Sequence, residues 1–337
     1  LGSGGERPWS FSVALFACPR GKGNPPTGAL APVLDWLYTG TMQIVRAPVL
    51  GMCMGVRRAE EKAKKAALRA KELSKPVFTY GPLIHNPQAV KALESLGVRV
   101  LEPEAFERGE LDGKAKGSIV VIRAHGAPPE ALLRLNSLGV EVVDATCPRV
   151  LKSQKKAASL IEKGFSLAIA GDRSHGEVTG ILGYAPGAVV VQNAAEAAVL
   201  AKEWERRPVA LIAQTTIKKS EYDAIAALFE AHCPSFLAFD TLCPATAERQ
   251  KALKKMAGEV EALLVVGGKN SANTQRLFMA AKETGKPAWH IETASELPRE
   301  IFGYTSVGLT AGASTPDSVV DDVESTLMKG EYDGPAS

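Results

Sequence analysis

Three times along the chain, an apolar run of strand length gives way to a short turn holding a cysteine, then to a basic segment with helical periodicity. The runs begin at Ile44, Val140 and Phe236, and the turns carry Cys53, Cys147 and Cys243. Short apolar runs bounded by turn residues predict strands buried on both faces. Behind the first turn, Val56, Ala59, Ala63, Ala66, Ala70 and Leu73 recur at helical spacing. Arg57, Arg58, Lys62, Lys64 and Lys65 fall mostly on other faces, which predicts an amphipathic helix with a solvated basic side.

Each repeat continues in the same order. A second apolar run ends in a polar loop: 76–80 before His85 and Asn86, 165–170 before His175-Gly176-Glu177, and 262–266 before Asn270-Ser271-Ala272-Asn273. A third run ends likewise: 119–122 before His125, 209–212 before Thr215, and 306–309 before Ser314. Successive cysteines lie 94 and 96 residues apart, so the repeat holds in spacing although the sequences have diverged. Strands alternating with helices at this period predict α/β units with parallel sheets. The expected units are 42–139, 140–235 and 236–330, followed by a tail at 331–337. Residues 1–41, rich in proline and glycine, read as a leader or extension outside the fold and are expected to be disordered. Functional groups of parallel sheets collect at the carboxyl ends of the strands. Three units around a pseudo-threefold axis would bring all these loops, and the three cysteines, to one central cavity.

Composition narrows the chemistry. Of 337 residues, 45% are apolar and 23% charged, the balance of a globular protein. A net charge of +3 is too small to point to nucleic acid. No apolar run reaches the ~18 residues of a membrane span. Five cysteines are too few for a disulfide scaffold. None of the three in register belongs to a C-x-x-C pair, and each precedes a helix, where the dipole favours thiolate. Convergent thiolates select zinc or an iron–sulfur cluster, and a cubane held by three cysteines keeps one iron open. Cys18 and Cys233 break the register and read as structural or incidental. His85, His125, His175, Thr215, Ser271, Asn273 and Ser314 are mostly hydrogen-bond donors, suited to an anionic, oxygen-rich substrate. Glu177 is the one carboxylate inside these loops, hence the candidate proton donor.

Taken together, Gly51-Met-Cys53-Met-Gly-Val56, His85-Asn86, Ala124-His125-Gly126, Asp144-Ala-Thr-Cys147-Pro148, His175-Gly-Glu177-Val178, Gln214-Thr215-Thr216, Cys243 with Arg249-Gln250, Asn270-Ser271-Ala272-Asn273 and Gly312-Ala-Ser314-Thr-Pro316 resemble the LytB (IspH) family of 4-hydroxy-3-methylbut-2-enyl diphosphate reductases. The likeness runs from about Met42 to Leu327. It implies a trefoil of three pseudo-threefold-related α/β units around a [4Fe-4S] cluster held by Cys53, Cys147 and Cys243. It also implies the last step of the non-mevalonate isoprenoid route, in which two electrons and two protons remove an allylic hydroxyl. On this resemblance His85, His125, His175, Thr215, Ser271, Asn273 and Ser314 contact the substrate, mostly its diphosphate, and Glu177 supplies a proton. The implied partners are the small allylic diphosphate and a ferredoxin or flavodoxin electron donor, in the cytoplasm, with neither nucleic acid nor membrane. Ala272 replaces the second serine usual in that loop, and Met52, Met54 and Pro244 also depart from the common pattern around the cysteines. A quinolinate-synthase-like three-cysteine enzyme and a non-catalytic zinc module are the rival readings; the first matches the His175 and Asn270 loops poorly.

Overall fold

The computed structural model of the chain describes residues 42–84 and 86–330. The expected leader, the tail and His85 lie outside the described residues. The first strand, β1 (Gln43–Arg46), leads through the Cys53 turn into α1 (Met54–Glu72). Then come β2 (Val77–Tyr80), α2 (Pro87–Ser95), β3 (Val98–Leu101), the short α3 (Pro103–Glu107) and α4 (Asp112–Ala115), β4 (Ile119–Ile122), α5 (Pro129–Ser137) and β5 (Glu141–Asp144). Cys147 opens α6 (Pro148–Glu162), followed by β6 (Ser166–Ala170), α7 (Gly176–Gly183), β7 (Val189–Val191), α8 (Ala194–Glu203), β8 (Val209–Ala213), α9 (Lys219–His232) and β9 (Phe236–Ala238). Cys243 opens α10 (Pro244–Ala257), followed by β10 (Ala262–Val266), α11 (Ala272–Lys282), β11 (Ala288–Ile291), β12 (Ser306–Ala311) and α12 (Asp317–Lys329).

These strands form three four-stranded sheets of one topology: β3-β2-β4-β5, β7-β6-β8-β9 and β11-β10-β12-β1. Every pairing is parallel, with Val77 opposite Ile119, Ser166 opposite Val209 and Ala262 opposite Val307. Of the central strands, β4, β8 and β10 are apolar and buried throughout, because helices cover both faces of each sheet. In the first sheet one face packs Ala59, Ala63, Ala66 and Ala70 of α1 against Ile119 and Val121. The opposite face packs Phe106, Ala131 and Leu135 against Val120 and Ile122. Small alanines let α1 lie close over the strands, which is why its apolar stripe is built from them.

The sheets are offset by one strand from the repeat counted along the chain. β5, at the head of the range 140–235, pairs with β4 of the first sheet, and β9 pairs with β8 of the second. β1 closes the third sheet beside β12. Each sheet therefore ends on the strand that leads into a cysteine, and the following helix crosses to the next sheet. α1 packs on β2 and β4, α6 on β6 and β8, and α10 on β12. The cysteines stand at the three crossovers that join the sheets into a closed ring.

Candidate active site

Each cysteine is the N-cap of its crossover helix, ahead of α1, α6 and α10. Each also donates its backbone N–H to a carbonyl in the loop after the third strand of the sheet just left. Cys53 bonds Ala313 O at 3.0 Å, Cys147 bonds Ala124 O at 2.9 Å, and Cys243 bonds Thr215 O at 2.7 Å. Three equivalent bonds thus fix three equivalent thiols against three polar loops. Gly55 is required where the turns meet, because a Cβ there would lie 2.7 Å from Cys147 Sγ. Burial pushes the Cys243 thiol up; the Ala245 N–H and Arg149 oppose this, and Cys53 and Cys147 add to it.

The donors gather for a topological reason. In each sheet the two middle strands send their crossovers in opposite directions, which opens a crevice between their carboxyl ends. The crevice between β6 and β8 receives His175, Glu177 and Thr215. That between β10 and β12 receives Ser271, Asn273 and Ser314. His125 comes from the crevice between β2 and β4. Side-chain bonds close two of these crevices: Thr215 Oγ1 donates to Glu177 Oε2 at 2.8 Å, and Ser314 Oγ to Ser271 Oγ at 3.4 Å. His125 and His175 meet edge to face from different sheets, their ring centroids 4.8 Å apart. The His125 turn needs Gly126, whose φ is +80° and whose missing Cβ would lie 2.4 Å from Gln154 Nε2.

One cavity, about 840 Å³ of space including its mouth, is lined by all three cysteines together with His125, His175, Glu177, Thr215, Ser271, Asn273 and Ser314. Every site residue expected from the sequence and described by the structure is therefore in one place. Sequence reasoning missed Arg149 and Thr246, which share the lining, and quoted Thr216 there only beside Thr215, without a role. Arg149 follows Cys147 by two residues, so the spacing from the cysteine was the available signal. It also missed Arg123, whose largely buried guanidinium packs where side chains at Gly81 and Gly176 would stand, behind the histidine loops.

Glu177 is the electrostatic centre of the wall. It is 1% exposed and sits in the first turn of α7, where its own N–H donates to His175 Nδ1 at 3.2 Å. The Thr215 N–H reaches Glu177 Oε1 at 2.7 Å. Burial pushes the carboxyl up to about 7, against the pull of both Thr215 bonds and of Arg276. At neutral pH such a group exists in both protonation states, as a general acid requires.

The LytB protein family profile matches residues 44–328. The chain belongs to the LytB family. It is 50% identical over 293 residues to the 4-hydroxy-3-methylbut-2-enyl diphosphate reductase of Treponema denticola, covering 86% of this chain and all of that one. It is 37% identical to the reductase of the same name from Aquifex aeolicus, over 86% of this chain and 96% of the other. A solved (E)-4-hydroxy-3-methyl-but-2-enyl diphosphate reductase, the terminal enzyme of the non-mevalonate pathway, superposes with a TM-score of 0.66 at 36% identity, over 86% of this chain and 99% of that one. The Plasmodium falciparum reductase shares the fold, with a TM-score of 0.76 at 23% identity over 88% of this chain and 93% of that one. Met52 is buried in the core under α1, while Met54 is exposed. Ala272 lines the cavity, so its missing hydroxyl is missing from the site itself.

Proposed function

We propose that this chain reduces (E)-4-hydroxy-3-methylbut-2-enyl diphosphate to isopentenyl and dimethylallyl diphosphate, the last step of the non-mevalonate isoprenoid route. The observation that carries the reading is the meeting of three register-related cysteines and a near-neutral Glu177 in one donor-lined cavity. The donor set suits an iron–sulfur cluster: three thiols on helix N-termini, placed on three different crossovers. Among the described residues no group of three or more His, Cys, Asp or Glu is arranged to hold a metal ion. In this reading Cys53, Cys147 and Cys243 hold one [4Fe-4S] cluster. When bound, it would pass on two electrons, one at a time, from an external donor and would offer a Lewis-acidic iron.

The chain's own groups divide the substrate between them. His125, His175, Ser271, Asn273 and Ser314, with His85, take the diphosphate through neutral and charge-assisted donors. The N-terminus of α11, capped by Ser271, adds backbone N–H groups on the same side. Thr215 holds the hydroxyl end and orients Glu177 through its two bonds. Glu177 delivers a proton to the departing hydroxyl oxygen, and its burial excludes water from that proton. Electrons arrive from a ferredoxin or flavodoxin. Among the described residues no helix is long and apolar enough to cross a membrane.

The test is an anaerobic preparation assayed for iron, acid-labile sulfide, absorption near 400 nm and turnover of the allylic diphosphate with a chemical reductant. About four irons per chain and formation of both products are expected. A colourless protein that binds zinc, or a brown one inert toward this substrate, defeats the reading.

A further inference from the structure

The three crossover helices are not equivalent at one buried position. Six residues after each cysteine stand Ala59, Ser153 and Arg249, all of them buried. Two are small and one is a guanidinium only 3% exposed. Arg249 Nη2 donates to Gly51 O at 2.6 Å, across 198 residues of sequence, and Nη1 to Ala245 O at 3.0 Å. Its Nε has no hydrogen-bond partner among the described residues. Nor does any carboxylate among them lie within ion-pair distance of it. A buried cation without a counter-charge is strongly unfavourable, so the fold must meet it with negative charge of another kind. The groups whose charge acts on it are Cys53, then Cys243, and last the nearby Glu248, which makes no ion pair with it.

We propose that Arg249 is a positioning residue that serves as the fixed counter-charge of the iron–sulfur centre, setting its reduction potential from the side of Cys53 and Cys243. This rests on the iron–sulfur reading above. A cluster held by three thiolates is an anion, and it gains a further negative charge on reduction. A buried positive charge stabilises the reduced form more than the oxidised one and so raises the potential. The same side chain clamps the Gly51 carbonyl, two residues before Cys53. Charge and ligand geometry are thereby held by one group reaching from the third crossover to the first. Arg58 makes the related reach from α1 to Thr146 O at 3.2 Å, beside Cys147, but from a half-buried position.

The experiment is a mediated redox titration of the holoenzyme followed by electron paramagnetic resonance, with iron and sulfide counts on the same samples, for wild type, Arg249→Met and Arg249→Lys. The expected result is an Arg249→Met protein with normal iron and sulfide whose reduced-to-oxidised ratio at a given applied potential falls at least about tenfold, a shift of about 59 mV for one electron. Arg249→Lys returns most of that shift. If Arg249→Met loses the cluster while Arg249→Lys keeps it with a near-normal potential, the charge is again the cause. An unchanged potential in an iron-replete Arg249→Met protein overturns the proposal. So does a Lys variant as shifted, or as empty of iron, as the Met variant, since either outcome marks shape rather than charge. Wild type without iron or sulfide would sink the iron–sulfur reading itself, a result separate from all of these.

Discussion

The cysteine turns and the crevices between the middle strands lie side by side, yet one set kept the threefold repeat and the other lost it. Each turn has an N-cap cysteine and an amide bonded to the neighbouring loop, at 2.7 to 3.0 Å. The crevices hold a histidine at one, a histidine with a glutamate and a threonine at the next, and two serines with an asparagine at the third. A centre with three like ligands is satisfied by three like turns. A substrate with a diphosphate at one end and a hydroxyl at the other is not, so its walls had to diverge. On the proposed function, the symmetric part of the molecule is the part that would hold the symmetric centre.

The largest effect should come from breaking the symmetric set. Cys53→Ser, Cys147→Ser and Cys243→Ser are each expected to abolish or nearly abolish cluster iron, and turnover with it. Cys233→Ser should retain both. Its thiol is buried beside Ala201 and Trp204 in the core of the second sheet and does not line the cavity. Iron and sulfide counts on the four purified variants decide it; equal losses in all four would show that register carries no information.

Next comes the single most asymmetric residue. Glu177→Gln keeps the size of the side chain but cannot give up a proton, and a loss of turnover of about 10²–10⁴ is expected with the cluster intact. The same variant should flatten a pH dependence of stability. A carboxyl held near 7 when folded and 4.5 when unfolded stabilises the fold fully below pH 4.5. That contribution is lost as pH rises from 4.5 through 7, because the buried group must then ionise. Denaturant melts of wild type and Glu177→Gln between pH 5 and 8 measure it. Parallel pH profiles would show that Glu177 does not titrate there, and near-normal turnover would remove it from the chemistry.

What the chain announced in advance follows the same division. The cysteines, the apolar central strands and the Ala-rich face of α1 were legible because equal spacing and uninterrupted apolar runs are patterns in one dimension. The edge strands β3, β7 and β11 were not. Val98–Leu101 is buried only at its two ends and carries Arg99 between them, and Val189–Val191 is only three residues long, so neither stands out from a loop. Strand membership was also hidden, since which sheet β1, β5 and β9 join depends on where the next helix packs. Arg149 was not singled out, and Arg249 stood only as a residue of the Cys243 motif, without a role. Only the turn of the helix, a property of space, carries one to the cavity and the other beneath the cysteines.

A smaller effect is expected at the diphosphate end. His125→Ala and His175→Ala should each raise KM and weaken product binding by about one to two decades, since each removes a contact of roughly 1.5–3 kcal/mol when charge-assisted. The two rings touch, so the double variant should lose less than the product of the single losses. Calorimetry with isopentenyl diphosphate reads this without chemistry. Loss of kcat with unchanged affinity would move the histidines from the diphosphate to the reacting end.

The smallest effect sharpens the comparison most, because it asks how far one crevice can be retuned alone. Ala272 is the first residue of α11, between the capping Ser271 and Asn273, and its side chain lines the cavity without a polar atom. Ala272→Ser adds a hydroxyl where donors to the diphosphate already gather. A neutral hydrogen bond contributes about 0.5–1.5 kcal/mol, so affinity for a diphosphate product should rise by about two- to tenfold. Among the described residues no side-chain hydrogen bond joins this position to the neighbouring crevices, so kcat and the Glu177 pH profile should stay where they are. If affinity is unchanged, the helix N–H groups already saturate the oxygens on that side, and Ser271, Asn273 and Ser314 carry the contact without need of a fourth group. If kcat moves instead, the third crevice reaches the hydroxyl end, and the division of labour among the three walls must be redrawn.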